Sequence, residues 1–164
     1  GPAGHLGPLL RPGRPALDEL FLDTTYCDEK YAGVPPQAEA VRRAVEVVQE
    51  EVGGDRKGGA TAGSRTLFLF GAYTIGKEKI YLAAAAALNK KIYVDRRRHR
   101  ILSALHLPQE QASLLTTERA QTNLWVVPLG HVNFRVMAEQ YLGQADGALS
   151  KPYDRVVGFR PTGW

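Results

Sequence analysis

Two carboxylates stand where an α/β protein places its chemistry, at the ends of predicted strands. Asp23 follows the apolar residues Phe21 and Leu22, and Glu78 follows the apolar segment 65–70 after a glycine-containing turn. Strand ends suit chemistry because the sheet fixes the backbone while the next loop is free to line a cleft. A carboxylate there can ligate a metal ion, although a lone Asp at a strand end is more often a helix cap or a turn former.

The turn at 71–77 reads Gly-Ala-Tyr-Thr-Ile-Gly-Lys and has the spacing of a phosphate-binding loop, G-x-x-x-x-G-K. That loop requires Ser or Thr at the next position, because its hydroxyl holds magnesium. Glu78 stands there instead and would repel a triphosphate, so nucleotide hydrolysis is disfavoured. Free N–H groups at a helix start still attract anions, so Gly76 and Lys77 are candidates to hold a nucleic-acid phosphate. The alternative for Glu78 is a first-turn glutamate that stabilises the helix dipole.

Positive charge is concentrated in one short segment of a chain whose formal net charge is +4. The segment contains six basic residues within 90–100: Lys90, Lys91, Arg96, Arg97, Arg98 and Arg100. The cluster favours a polyanion partner, and its four arginines are candidates for DNA backbone contacts without sequence preference. The alternative is the solvated face of a helix whose other face is apolar.

Tyr73 and Trp164 are candidates to stack on bases, although core positions are more common for aromatic residues. We do not expect His99 or His131 to ligate a metal.

Alternating strands and helices must position these residues. We predict strands at 20–23, 65–70, 91–94, 124–127 and 155–159, and helices at 35–52, 76–89, 96–107 and 132–142. This order predicts an α/β fold with a mostly parallel sheet flanked by helices. The segment 53–64 is rich in glycine and polar residues and is predicted to be a flexible surface loop.

Composition limits the possible classes of protein. With 164 residues, 44% of them hydrophobic, the chain can bury one ordinary core. It has no run of eighteen apolar residues, so we expect a soluble chain with no membrane partner. Cys27 is the only cysteine, which excludes an internal disulfide and a four-cysteine zinc site and favours a reducing compartment. The start without Met and the end on Trp164 lead us to expect a fragment.

Four segments occur in an order and spacing typical of one family. They are Leu22-Asp-Thr-Thr-Tyr-Cys27, Gly71-Ala-Tyr-Thr-Ile-Gly-Lys-Glu78, Leu114-Leu-Thr-Thr117 and Phe159-Arg-Pro-Thr-Gly-Trp164. Together they resemble the DNA interstrand cross-link repair nucleases of the metallo-β-lactamase/β-CASP class. The resemblance implies that 1–19 is a linker or loop from a missing upstream part. It also implies that 20–34 ends the metallo-β-lactamase portion with its last active-site strand. Residues 35–164 then form the β-CASP, or DNA-repair metallo-β-lactamase (DRMBL), portion, which is incomplete at its C-terminus.

The resemblance also implies roles for individual residues. Asp23 corresponds to the family's metal-binding aspartate, which ligates one or two catalytic zinc ions in the parent enzyme. Glu78 corresponds to an acidic residue of the β-CASP cap that supports the metal site by hydrogen bonding. The implied parent is a nuclear 5′–3′ DNA exonuclease, a phosphodiester hydrolase of cross-link and DNA end repair. Its expected partners are single-stranded or damaged DNA with 5′ ends and repair proteins.

One departure from the family limits this expectation. The family's H-x-H-x-D-H motif, which supplies most zinc ligands, is absent from the sequence. Since a catalytic zinc needs about three protein ligands, the chain alone is expected to be inactive and to hold no zinc by itself. The alternative function is a non-catalytic module that binds nucleic acid or a protein partner. An RNA-processing hydrolase of the same superfamily is a further alternative. The first and last of the four segments favour the DNA-repair branch over it.

Overall fold

The structure, a computed structural model, describes residues 21–25, 27–56, 65–143 and 153–161. The chain divides into two units, 1–34 and 35–164, and each is described by itself. Within the described ranges, no helix combines the length and apolar character needed to cross a membrane. The correspondence of the two units to the predicted metallo-β-lactamase and β-CASP portions stays a prediction.

The second unit contains a parallel sheet. Its strands are β1 (Thr66–Ala72), β2 (Ile92–Tyr93), β3 (Leu115–Thr116), β4 (Leu124–Pro128) and β5 (Arg155–Phe159). They lie in the order β3-β2-β4-β1-β5, and every paired strand is parallel to its neighbour. All seven residues of β1 are buried, as expected for a parallel strand that is covered on both faces.

Helices cover both faces of this sheet. They are α1 (Gln37–Arg56), α2 (Glu78–Ala87), α3 (Arg96–Ala104), α4 (Gln109–Ala112) and α5 (Phe134–Gln140). On one face, α1, α2 and α3 pack in a core that includes Val48, Tyr81 and Leu102. On the other face, α5 packs against a second core around Leu69 and Trp125. The predicted α/β class, a mostly parallel sheet flanked by helices, is confirmed.

The connections of this sheet create a switch point. Strands β1 and β4 are neighbours, yet the helix that follows β1 lies on the first face and α5, which follows β4, lies on the second. In open α/β sheets, such a divergence leaves a crevice at the carboxyl ends of the two strands, and ligands bind there. The loops after β1 and β4 therefore meet at the edge where function is expected.

The predicted strand at 20–23 is not observed in its described part. Residues 21–23 have no strand pairing, and the side chains of Phe21 and Leu22 are 87% and 70% exposed. Residue 20 lies outside the described residues. Apolar residues predict burial, but a strand also needs a neighbouring strand for its N–H and C=O groups. The described part of the first unit supplies no such strand.

Several helix boundaries also differ from the prediction. Helix α1 continues to Arg56, so the predicted loop at 53–64 begins at least four residues later, and 57–64 lie outside the described residues. Glycine costs about 1 kcal/mol in a helix. Val52 packs against the first core and Glu51 forms an ion pair with Arg155 at 2.7 Å, which holds the last turns in place. Helix α3 ends at Ala104 instead of 107.

Candidate nucleic-acid interface

Asp23 lies in an exposed turn of the first unit. Its Oδ1 atom accepts a hydrogen bond from the Thr25 hydroxyl at 2.6 Å and another from the Thr25 N–H at 3.0 Å. The hydroxyl bond first, and the N–H bond second, lower the pKa of Asp23 below its ordinary value because both stabilise the carboxylate. Among the described residues, no hydrogen bond to Oδ2 is formed. The turn-forming role is therefore observed, and the role as a metal ligand stays a prediction.

Glu78 closes the turn that precedes α2. Gly76 and Lys77 both have left-handed backbone angles, with φ of 97° and 73°, so α2 begins at Glu78 and not at the predicted Gly76. The Gly76 N–H donates to Glu78 Oε1 at 2.7 Å. The N–H that was predicted to hold a phosphate is thus bound to a carboxylate two residues further along the chain. The site therefore differs from a phosphate-binding loop, and the phosphate role of Gly76 stays a prediction.

Lys77 lies beside this turn in a small cavity. The cavity has a volume of about 260 Å³ and is also lined by Gln37 and Lys79. Partial burial lowers the pKa of Lys77. Lys79 Nζ donates to Gln37 Oε1 at 3.1 Å and connects α2 to α1. Lys77 and Glu78 belong to the second unit and Asp23 to the first. The phosphate role of Lys77 stays a prediction.

The predicted arginines lie on α3, which begins at the carboxyl end of β2. Asp95 caps this helix, with its Oδ1 accepting the Arg98 N–H at 2.8 Å. Arg96, Arg97 and Arg100 are exposed. An Asp just before a helix is a familiar start signal, so sequence reasoning could have found this cap. The three arginines present positive charge to solvent, as a phosphate-binding role requires, and that role stays a prediction.

Arg98 differs from the other three arginines because its side chain is buried, with 8% exposure of the residue. Its Nη1 donates to the Tyr73 carbonyl at 2.7 Å, and its Nη2 donates to the Ala72 carbonyl at 3.5 Å. Its Nε has no hydrogen-bond partner, since Asp95 Oδ2 lies 3.8 Å away, beyond hydrogen-bond distance. Arg98 thus joins α3 to the end of β1, and the phosphate contact predicted for it stays a prediction.

The structure also divides the basic cluster between the two edges of the sheet. Lys90 and Lys91 precede β2, whereas the arginines follow it. Lys90 Nζ donates to Asn123 Oδ1 at 2.9 Å, and Lys91 Nζ donates to the Ser113 carbonyl. Both lysines line a cavity of about 660 Å³ at the amino ends of the strands. The two lysines therefore lie at one edge of the sheet and the exposed arginines at the other.

Two depressions flank α3 at the carboxyl edge of the sheet. The first, which we call the switch cleft, has a volume of about 430 Å³. It is formed by Ala72, Tyr73 and Thr74 after β1, by Asp95, Arg97, Arg98 and Ile101 of α3 and its cap, and by Pro128, Leu129 and Gly130 after β4. The second has a volume of about 440 Å³ and is lined by Arg96, His99, Arg100 and Thr117. The contribution of the loop after β4 was not predicted from the sequence, although Pro128 and Gly130 are turn signals.

Other predicted residues have clear positions. The Tyr73 side chain is 63% exposed at the switch cleft, in keeping with its candidacy as a stacking residue. His131 Nδ1 lies 2.7 Å from the Tyr141 hydroxyl, so this histidine has a hydrogen-bonded structural role. Trp164 lies outside the described residues.

The described residues do not form a metal site by themselves. Within the ranges described above, no group of three or more His, Cys, Asp or Glu side chains could hold a metal ion. A catalytic zinc needs about three protein ligands, and Asp23 offers one carboxylate. The donor set described here therefore does not fit a resident zinc ion without ligands from elsewhere.

Comparison with known proteins adds a relationship to this geometry. Residues 109–164 match the model of the family described as DNA repair metallo-beta-lactamase. The DNA cross-link repair 1A protein of Mus musculus is 35% identical over 145 residues, which cover 88% of this chain and 13% of the mouse protein. The DNA cross-link repair protein SNM1 of Arabidopsis thaliana is 32% identical over 145 residues, 88% of this chain and 27% of that protein. Arabidopsis thaliana DNA ligase 6 is 32% identical over 154 residues, 90% of this chain and 10% of that protein. The chain thus spans about a tenth to a quarter of the length of these relatives.

Proposed function

Because the resemblance of this chain to DNA cross-link repair proteins is confirmed, we propose that it is part of a metal-dependent DNA nuclease of cross-link and DNA end repair. The similarity covers 88% of the chain, and this is the observation that carries the proposal. The parent enzyme would be a phosphodiester hydrolase of the 5′–3′ exodeoxyribonuclease type. Its β-CASP portion would correspond to the second unit, and its place of action would be the nucleus.

The carboxyl edge of the sheet supports DNA as the substrate. Exposed Arg96, Arg97 and Arg100 line two depressions on either side of α3. Guanidinium groups bind phosphates of the DNA backbone without reading sequence, as a repair nuclease that acts on many sequences requires. Lys77 precedes α2 at the end of the turn that follows β1 and would add a further phosphate contact.

Asp23 and Glu78 would serve a metal site that needs further ligands. The two hydrogen bonds from Thr25 keep the Asp23 carboxylate ionised and oriented, which are the properties of a metal ligand. The Gly76 N–H holds Glu78 Oε1 and thereby fixes a carboxylate that could support a neighbouring site. We propose that the other ligands, for one or two zinc ions, belong to a part of the parent protein beyond this chain. On this proposal the chain alone neither retains zinc nor cuts DNA.

Zinc content and nuclease activity test this function. We would purify this chain and a version extended upstream by the next two hundred or so encoded residues. Both would be assayed for bound zinc and for degradation of 5′-phosphorylated single-stranded DNA. The expected result is that only the extended protein binds about two zinc ions and degrades DNA, and that Asp23→Ala abolishes both properties. An extended protein that binds DNA but holds no metal would contradict the nuclease proposal.

A second candidate is a non-catalytic module that binds nucleic acid or a protein partner. It is favoured by one observation: the described residues contain an exposed basic edge but no group of three metal-ligating side chains. The same experiment separates the two functions. DNA binding by both proteins, without zinc or cleavage in either, would support the module.

A further inference from the structure

The proposed nuclease function does not yet assign a role to the switch cleft. Its volume of about 430 Å³ falls within the range of small-molecule sites, and it lies at the switch point between β1 and β4. We propose that this cleft binds a single nucleotide of a DNA strand, with the base stacked on Tyr73 and the phosphate paired with Arg97. This inference rests on the proposed function and specifies where and how the strand is held.

Tyr73 is suited to stack on a base. Its side chain is 63% exposed, and it belongs to neither hydrophobic core. Its backbone is nevertheless fixed, because the Tyr73 carbonyl accepts the Arg98 Nη1–H at 2.7 Å. An aromatic ring that is exposed but held at its backbone provides a stacking platform, and stacking accepts any base.

Arg97 is suited to pair with a phosphate. It is exposed at the wall of the cleft, and among the described residues it forms no ion pair. Its guanidinium group can bind two phosphate oxygens at once. Arg97 lies directly beside Arg98 in sequence, so its backbone is anchored to the end of β1 through its neighbour.

The buried guanidinium of Arg98 adds an electrostatic reason. Its side chain is 9% exposed, and its Nε has no hydrogen-bond acceptor. The nearest carboxylate is that of Asp95, which already accepts the Arg98 backbone N–H and whose other oxygen lies 3.8 Å from Nε. Arg97, Arg98 and Asp95 therefore leave one net positive charge at the cleft, which favours one phosphate group.

The neighbouring depression indicates where the strand continues. It lies on the other side of α3 and is lined by Arg96, His99, Arg100 and Thr117. Arg96 and Arg100 are four residues apart and thus share one side of the helix. A strand that places one nucleotide in the switch cleft would meet these two arginines with its next phosphates.

Photo-cross-linking and binding measurements on the full chain test this inference. The probe is a single-stranded thymidine oligonucleotide that carries one 5-iododeoxyuridine and a fluorescent label. We expect the cross-link to map to Tyr73 and the Tyr73→Ala variant to bind roughly tenfold more weakly, as the loss of one stacking contact predicts. The Tyr73→Phe variant keeps the ring and should bind like the unaltered chain. Arg97→Ala should also weaken binding, whereas Arg42→Ala, an exposed arginine on α1, should not.

Two outcomes would overturn the inference, and they differ in what they say of the proposed function. If the chain binds the oligonucleotide, but the Tyr73 and Arg97 variants bind equally well and the cross-link maps elsewhere, the cleft assignment fails and DNA binding stands. If the unaltered chain binds no DNA, the cleft assignment fails together with the DNA-binding part of the proposed function. Thermal unfolding of each variant would verify that a weakened affinity does not come from a loss of folding.

Discussion

At the scale of single residues, Arg98 is a predicted site residue with an observed structural role. Its guanidinium joins the start of α3 to the Ala72 and Tyr73 carbonyls, so it holds the two walls of the switch cleft together. Its neighbour Arg97 is exposed and lines the same cleft. Adjacent arginines of identical chemistry therefore have different tasks, one structural and one proposed to bind phosphate.

We expect Arg98→Ala to lower the free energy of unfolding by about 1–3 kcal/mol, because it removes charged donors from two carbonyls and a packed aliphatic stem. Arg97→Ala should change it by less than about 0.5 kcal/mol, as is usual for an exposed position. Urea unfolding followed by tryptophan fluorescence would measure both variants. Equal losses in the two variants would contradict the structural role assigned to Arg98.

The Asp23 turn predicts a pH dependence. Hydrogen bonds from the Thr25 hydroxyl and N–H lower the pKa of Asp23, so the turn is at full strength above the ordinary pKa of an aspartate. Its contribution is lost as the pH falls through the lowered pKa, because the protonated carboxyl group is a poorer acceptor. An NMR titration of the Asp23 carboxyl carbon should show Thr25→Val raising this pKa and Thr24→Val leaving it unchanged. A titration of unaltered Asp23 at the ordinary value would contradict the hydrogen bonding.

At the scale of elements, two glycines show how local sequence and packing compete. Gly53 lies within α1, where an added Cβ would meet no atom within 4 Å. Gly71 lies in β1, where an added Cβ would be 2.9 Å from Val132 Cγ2 and 3.3 Å from Leu129 Cα. Gly53 therefore destabilises its helix, and Gly71 leaves room for the loop after β4.

Alanine substitutions should consequently have opposite effects. Gly53→Ala should raise the free energy of unfolding by about 0.5–1 kcal/mol, because alanine is the better helix former. Gly71→Ala should lower it by about 1–3 kcal/mol, because the backbone of Leu129 must move. Thermal and urea unfolding of the two variants would measure this. A loss of stability in Gly53→Ala would contradict the extension of α1 beyond residue 52.

The same competition explains which elements were predictable from sequence. Strands β1 and β4 are largely apolar segments, β5 contains two adjacent valines, and the periodicity of α1 is visible within one window, so local patterns suffice. Strands β2 and β3 have two residues each and exist through their pairing with neighbours, and β3 was not predicted. The burial of Arg98 and the Gly76–Glu78 hydrogen bond depend on contacts and backbone angles that no periodicity encodes. Most of the sheet and the candidate residues could therefore be predicted from the sequence, whereas the switch cleft became visible only in the structure.

At the scale of the whole molecule, the sheet separates charges that are adjacent in sequence. Lys90 and Lys91 lie before β2 and donate hydrogen bonds to Asn123 and to the Ser113 carbonyl, whereas the exposed Arg96, Arg97 and Arg100 follow β2. In a parallel sheet the amino ends of the strands lie at one edge and the carboxyl ends at the other. Basic residues before and after a short strand therefore lie at opposite edges. Of these six charges, the proposed DNA interface therefore includes only the three exposed arginines of α3.

The salt dependence of DNA binding should reveal this number. Each phosphate contact with single-stranded DNA contributes about −0.7 to the slope of log K against log salt concentration, so the three arginines together with Lys77 predict a slope of about −3. The Arg96→Gln, Arg97→Gln and Arg100→Gln variants should each reduce the slope by about 0.7, whereas Arg42→Gln on α1 should leave it unchanged. Fluorescence anisotropy at several salt concentrations would measure the slopes. A slope unaffected by all three α3 variants would contradict the interface, because the phosphates would then be bound by other residues.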